Sequence, residues 1–113
     1  MDRSAPLETT VHHVKTRLDL QPDSFVMLDC REPWEYEAAH ISGSLLLPLS
    51  ELAARYGELE SIRERSIVVL CHHGQRSLQL SQWLRRQGFL DVSSMAGGID
   101  QWSLEVDPSV PRY

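Results

Sequence analysis

Continuous runs of apolar residues recur along the chain, separated by segments of helical periodicity. Phe25 to Leu28 forms one such run, closed by Asp29, and Ser66 to Leu70 forms another that is β-branched and uncharged. Uninterrupted apolar runs of this length are typical of strands buried on both faces of a parallel sheet. Shorter strands are predicted at Leu45 to Leu47 and at Val92 to Met95.

Helical segments lie between these predicted strands. Thr10 is placed to cap a first helix that runs to about Leu18. The further predicted helices are Pro33 to Ala39, Leu49 to about Tyr56, a segment around Glu58 to Glu64, Gln75 to Gln87, and Ile99 to Leu104. Because strands and helices alternate, we predict an α/β fold class: a small parallel β-sheet of about four to five strands, flanked by helices on both faces.

The length of 113 residues predicts one domain over residues 1–113. Residues 1–6, and on a wider boundary Leu7 as well, are expected to form a flexible arm. Residues 105–113 are expected to form an irregular tail, because Pro108 and Pro111 break helices and ladders. No apolar leader is recognisable near the start, and no apolar run is long enough to span a bilayer.

Charge and cysteine content narrow the partners and the compartment. The formal net charge is −5, without a basic block, which disfavours nucleic acid as a partner. Two cysteines are too few for a disulfide framework and suit a reducing compartment. We therefore expect a cytoplasmic protein that binds neither membranes nor nucleic acid.

The candidate chemistry is concentrated in the loop that follows the most apolar strand. Cys71 comes directly after this strand and directly before a predicted helix, so unpaired backbone N–H groups and the helix dipole favour its thiolate. Gly74 allows the backbone to curl, and Arg76 adds a permanent positive charge. His72 and His73 add charge when protonated, and a small oxyanion would be held by the same groups.

Three motifs in this order resemble the rhodanese family. The loop from Cys71 to Ser77 matches Cys-x-x-Gly-x-Arg-Ser, and the segment from Leu28 to Ser44 resembles the family's Asp-x-Arg-Glu and His-Ile-x-Gly pattern. The segment from Ala96 to Trp102 resembles Gly-Gly-x-x-x-Trp. The resemblance runs from about Leu7 to Trp102 and implies a rhodanese-like fold.

The resemblance also implies a sulfurtransferase mechanism. The Cys71 thiolate would attack a sulfane sulfur of thiosulfate, or of a protein or low-molecular-weight persulfide, and pass it from a Cys71 persulfide to a thiol or cyanide acceptor. Asp29 and Arg31 would support the site by hydrogen bonding and ion pairing, and no metal, flavin or nucleotide is needed. The expected substrate-binding residues are His72, His73, Gly74, Gln75, Arg76 and Ser77.

Several alternatives stay open beside this interpretation. Four residues separate Cys71 from Arg76, whereas cysteine phosphatases and related arsenate reductases place five there, so phosphoryl transfer is disfavoured. A sulfur relay or a protein-binding module with little thiosulfate activity shares the same cysteine. His72 stands where many active members have a stronger base, which leaves the donor undecided.

Other residues have simpler interpretations. Cys30, at the end of a neighbouring strand, is interpreted as a small packed residue rather than a resolving cysteine. His40 with the histidines of the loop lacks the usual zinc spacings, so no metal site is expected. Arg31 and Glu35, four residues apart, are candidates for a pair across a helix start.

Overall fold

The computed structural model describes residues 6–113 and contains a five-stranded sheet. Its strands are β1 (Glu8–Thr9), β2 (Phe25–Asp29), β3 (Leu45–Leu46), β4 (Ser66–Leu70) and β5 (Asp91–Met95). They lie in the order β1-β5-β4-β2-β3, and each neighbouring pair is parallel. The predicted α/β class with a parallel sheet is confirmed.

Helices connect successive strands, and the last helix follows β5. They are α1 (Val11–Leu20), α2 (Pro33–Ala38), α3 (Leu52–Arg55), α4 (Gln75–Arg86) and α5 (Gly98–Glu105). The Thr10 side chain accepts a hydrogen bond of 3.0 Å from the amide of His13, which caps α1 as predicted. Among residues 6–113, no helix is long and apolar enough to cross a membrane.

Strand β4 separates the two halves of the hydrophobic core. Val68 and Leu70 belong to a cluster with residues of α1 and α5, whereas Ile67 and Val69 belong to a cluster with residues of α4. All four side chains are at most 1% exposed. The uninterrupted apolar run therefore arises because each face of the strand is covered by helices.

The segment between β3 and β4 differs from the prediction of two helices. Only α3 is α-helical, and 3₁₀ turns precede it at Leu49–Glu51 and follow it at Tyr56–Ile62. The apolar side chains that pack on the core mostly recur every third residue in this segment, which suits 3₁₀ winding. They are Leu49, Leu52, Tyr56, Leu59 and Ile62.

The prediction of a flexible N-terminal arm is wrong for Leu7, the last residue of its wider boundary. The Leu7 carbonyl accepts a hydrogen bond of 2.8 Å from the amide of Ser94, and Glu8–Thr9 adds a strand beside β5. A two-residue strand leaves too short a pattern to recognise in a sequence. The Pro6 carbonyl also accepts a hydrogen bond of 2.9 Å from Arg85, and residues 1–5 of the predicted arm lie outside the described residues.

The sequence predicts an irregular tail over residues 105–113, whereas Glu105 is still the last residue of α5. The residues after it form no helix or strand, and they pack on the core through Val110.

Candidate active site

The Cys71 sulfur lies in a cradle of backbone amides between β4 and α4. Its Sγ accepts hydrogen bonds from the amide of Gly74 at 3.1 Å and from the amide of Ser77 at 3.3 Å. Gly74 has φ of +101°, a left-handed conformation that turns the loop into α4 and favours glycine. Cys71 is only 1% exposed. The amides are thus placed to stabilise negative charge on a shielded sulfur.

A pair of buried serines lies behind the sulfur. The Cys71 thiol donates to Ser77 Oγ at 3.3 Å, and the Ser77 hydroxyl shares a hydrogen bond of 2.7 Å with Ser94 Oγ on β5. A hydroxyl can rotate to donate once the sulfur loses its proton. Ser94 carries no motif that sequence reasoning could recognise, because its place beside the cysteine depends on the pairing of β5 with β4.

The outer side of the loop is fixed by the start of α5. The Ile99 amide donates to the Cys71 carbonyl at 2.9 Å, and the Asp100 amide donates to the His72 carbonyl at 3.1 Å. A Cβ on Gly98 would collide with both carbonyl oxygens. Two backbone segments therefore approach each other at a position that only glycine permits.

Arg76 is not a free cation, because it forms an ion pair with Glu35. Its guanidinium binds both oxygens of Glu35 on α2, at 2.6 and 2.8 Å. The hydrogen bonds from Arg76 lower the pKa of Glu35 from 4.5 to about 2, against an opposing effect of burial. The candidate pair of Glu35 with Arg31 is wrong, because Arg31 contacts only the Glu35 backbone carbonyl, at 3.2 Å. Glu35 is the residue that sequence reasoning assigned to the wrong partner.

Asp29 and Arg31 form a buried ion pair next to this network. Arg31 Nη2 lies 2.7 Å from Asp29 Oδ2 and 2.7 Å from the Ala39 carbonyl, and both charged side chains are fully buried. The other terminal nitrogen of Arg31, Nη1, donates to the hydroxyl of Tyr113 at 3.0 Å. The Arg31 side chain therefore holds two neighbouring groups in place: the Ala39 carbonyl at the end of α2 and the Tyr113 hydroxyl.

Tyr113 joins the network from the far end of the chain. Its hydroxyl donates to Glu35 Oε2 at 2.7 Å, and its ring stacks on the His72 ring with centroids 4.0 Å apart and planes at 9°. The His73 ring stacks on the other face of His72 at 3.9 Å. Burial, and then the charge of His73, lower the pKa of His72, so this imidazole is neutral near pH 7. No sequence motif pointed to Tyr113, because only the folded tail brings it here.

The remaining candidate residues lie at the rim. Gln75 is exposed at the first position of α4, and His73 lies 3.9 Å from Asp100. Donor atoms of His72, His73 and Asp100 all lie within 4.8 Å of one another, but Arg112 already binds Asp100 at 2.8 Å. The absence of a metal site stays a prediction.

Cys30 is a packed thiol on the same face of the sheet as Cys71. It is fully buried, and its Sγ lies 3.5 Å from the Leu70 carbonyl. Burial, and then the negative charge of Cys71, raise the pKa of Cys30, so it stays protonated at neutral pH. Both cysteines are free thiols. A neutral, buried thiol is a poor nucleophile, in agreement with a packing role.

The fold and the site together define a class: a parallel α/β protein whose strand–loop–helix cradle presents one cysteine sulfur to backbone amides. The family model of the rhodanese-like domain matches residues 10–105. The chain therefore belongs to the rhodanese-like domain family, as the resemblance of its three motifs predicts.

Individual relatives agree with this assignment. The chain is 34% identical to the thiosulfate sulfurtransferase GlpE of Pseudoalteromonas translucida, covering 82% of this chain and 87% of that protein. It is 35% identical to the putative sulfur carrier protein YrkF of Bacillus subtilis, covering 85% of this chain and 50% of that protein. It spans about a third to a half of the length of two of the curated relatives that it matches.

A solved structure extends the agreement to the fold. The crystal structure of a rhodanese-related protein from Thermoplasma volcanium superposes with a TM-score of 0.79 at 29% identity. The match covers 96% of this chain and all of the other. The likeness of two whole chains supports the family assignment over nearly every described residue.

Proposed function

We propose that the protein is a sulfurtransferase that moves a sulfane sulfur through a persulfide on Cys71. The observation that carries the proposal is the pair of amide hydrogen bonds, from Gly74 and Ser77, to the Cys71 sulfur. Such donors stabilise a thiolate before the reaction and a persulfide anion after it. The other loop residues expected to meet the substrate are His72, His73, Gln75 and Arg76, with Asp29 and Arg31 in support.

The reaction has two displacement steps. The Cys71 thiolate attacks the outer sulfur of the donor, a new S–S bond forms, and the donor's S–S bond breaks with its electron pair leaving on sulfite or on a thiolate. An acceptor thiolate, or cyanide in an assay, then attacks the outer sulfur of the persulfide. The Cys71 thiolate leaves, so the enzyme returns to its first state without any external oxidant.

The charges around the cradle favour a persulfide donor over thiosulfate. Arg76 is bound to Glu35 through two short hydrogen bonds, and His72 is neutral near pH 7. A dianion entering this site therefore meets little uncompensated positive charge. This supports a second candidate function of the same chemistry, a sulfur relay that accepts sulfur from a protein persulfide and passes it to a partner thiol. A reducing compartment such as the cytoplasm would keep both cysteines as thiols.

Intact-mass measurement tests the persulfide directly. The protein is incubated with thiosulfate and, separately, with glutathione persulfide, and its mass is recorded before and after cyanide. We expect a gain of one sulfur atom that cyanide removes and that Cys71→Ser abolishes. Cys30→Ala is the matched control and should still gain the sulfur. No gain with either donor would refute the proposal.

The charge of Arg76 offers a test of donor choice. Glu35→Gln leaves Arg76 with an unpaired charge that acts electrostatically on Cys71, so the KM for thiosulfate should fall about fivefold. Glu37→Gln removes a carboxylate of the same helix that is exposed and makes no ion pair with Arg76. It should leave the KM unchanged. Equal KM values for all three proteins would show that Glu35 does not control the donor.

Phosphoryl transfer is not expected from this geometry. In a cysteine phosphatase the arginine must be free to hold the phosphoryl oxygens, whereas here Arg76 is bound to Glu35. The loop is also one residue shorter. Turnover of an aryl phosphate that disappears in Cys71→Ser would contradict this conclusion.

A further inference from the structure

Cys71 is too buried to react with a donor unless a neighbouring group moves. Its residue is 1% exposed. Most of the cradle is held firmly: Ser77 is buried in α4, Arg76 is bound through both Glu35 oxygens, and the Cys71 carbonyl is bound by α5. The movable part of the loop must therefore be sought among its other side chains.

The loop has two partly buried side chains, of which Arg76 has an ion pair and His72 has none within residues 6–113. The Nε2 atom of His72 is buried and has no hydrogen-bond partner within residues 6–113, so its position costs desolvation that no bond offsets there. The ring is held by two stacked rings, His73 on one face and Tyr113 on the other, and by a hydrogen bond with the Tyr113 backbone. His73 is itself exposed, so Tyr113 forms the inner wall of this stack.

Tyr113 is in turn fixed on several sides. Its hydroxyl donates to Glu35 and accepts from Arg31, and its ring contacts Trp34 edge-on at 5.9 Å. The preceding residue, Arg112, binds Asp100 in the first turn of α5. The last two residues are thus fastened to the two elements that flank the cysteine loop, α2 and α5.

We propose that Tyr113 is a positioning residue that clamps His72 over the cysteine loop, and that opening of this clamp decides which sulfur donors reach Cys71. The proposal rests on the proposed function. A small donor needs only a slight shift of the stack, whereas a bulky persulfide needs the His72 ring to turn away. Tyr113 therefore acts on donor specificity without touching the sulfur itself.

The chain contains a matched control for this idea. Tyr36 stacks on His40 with centroids 4.3 Å apart and planes at 12°, which is nearly the geometry of the Tyr113–His72 pair. Tyr36 lies on α2, and within residues 6–113 its one ring partner is His40, not a residue of the cysteine loop. Tyr113→Leu and Tyr36→Leu therefore remove the same kind of ring pair at two places, of which only one borders Cys71.

The first measurement is the rate at which iodoacetamide alkylates Cys71, followed by peptide mass. Loss of one stacked ring pair should raise this rate about tenfold in Tyr113→Leu and leave it unchanged in Tyr36→Leu. Tyr113→Phe keeps the stacked ring but loses both hydroxyl hydrogen bonds, so its rate should lie between those of the wild type and Tyr113→Leu. Cys30 reports on folding, because global unfolding exposes both cysteines whereas the open clamp exposes Cys71 alone.

The second measurement compares donors. In Tyr113→Leu, kcat/KM for glutathione persulfide should rise several-fold more than kcat/KM for thiosulfate. Equal alkylation rates at Cys71 in the Tyr113→Leu protein and the wild type, or parallel alkylation of Cys30, would overturn the clamp. Because alkylation needs no sulfur donor, the clamp can fail while persulfide formation succeeds, and the reverse outcome is equally visible.

Discussion

Replacing Glu35 by glutamine removes a single charge from the centre of the network around the cysteine loop. The carboxylate binds Arg76 through both oxygens and accepts a hydrogen bond of 2.7 Å from the hydroxyl of Tyr113. Glutamine has almost the same shape and can still accept the Tyr113 hydroxyl. The substitution therefore tests the ion pair while largely preserving the packing of α2.

The magnitude follows from the pKa of Glu35. A fall from 4.5 to about 2 corresponds to roughly 3 kcal/mol of folding free energy. The Arg76 side chain is 35% exposed, so solvent screening reduces the expected value to about 2 kcal/mol. Because the folded-state pKa is depressed, this stabilisation is present above pH 4.5 and is lost as the pH falls toward 2. About three quarters should remain at pH 4 and less than half at pH 3.

Urea unfolding followed by tryptophan fluorescence measures this difference. The free energy of unfolding of wild type and Glu35→Gln is compared at pH 7, 4 and 3, with Glu37→Gln as the control. We expect the gap between the wild type and Glu35→Gln to narrow as the pH falls. A gap that is constant with pH, or one below about 0.5 kcal/mol at pH 7, would refute the reasoning.

Three further substitutions test other parts of the site. Cys30→Ala should retain sulfur loading at Cys71 and lose about 1 kcal/mol of stability in urea unfolding, and loss of loading would assign Cys30 a chemical role. Ser77→Ala should slow alkylation of Cys71 about tenfold at neutral pH by removing a donor to the thiolate, so an unchanged rate would exclude the hydroxyl. Gly98→Ala should abolish sulfur transfer, because its Cβ would collide with the cysteine loop. Gly43→Ala is the control, since Gly43 also has a positive φ but open space around it, and it should retain the activity. Equal activities of the two variants would show that the contact between Gly98 and the loop is not required.

The main elements and the cysteine loop could be predicted because local pattern decides them. Strand β4 is an unbroken apolar run, and its burial on both faces follows from that run alone. The place of Cys71 between a strand and a helix already implies amides facing the sulfur. In these regions the local preference and the tertiary structure agree, so the sequence is sufficient.

Partners far apart in the chain could not be predicted in the same way. Glu35 has Arg31 four residues before it, which suggested a helical pair, yet it binds Arg76, 41 residues later. Ser94 and Tyr113 reach the site through the pairing of β5 and the course of the tail. These contacts depend on the three-dimensional path of the chain, which short-range spacing does not encode.

Because Gly98 contacts the cysteine loop, the cradle around the sulfur is built from two segments of the chain. The amides of Ile99 and Asp100 hold the carbonyls of Cys71 and His72, so the size of the loop is matched to the start of α5. A planar peptide directs its N–H opposite to its C=O, so fixing these carbonyls also fixes the orientation of the His72 and His73 amides at the start of the loop. Transplanting the loop alone into another α/β scaffold, or lengthening it by one residue, would leave this register unmatched. Transferring the chemistry of this site to another protein therefore requires the cysteine loop and the start of α5 to be moved together.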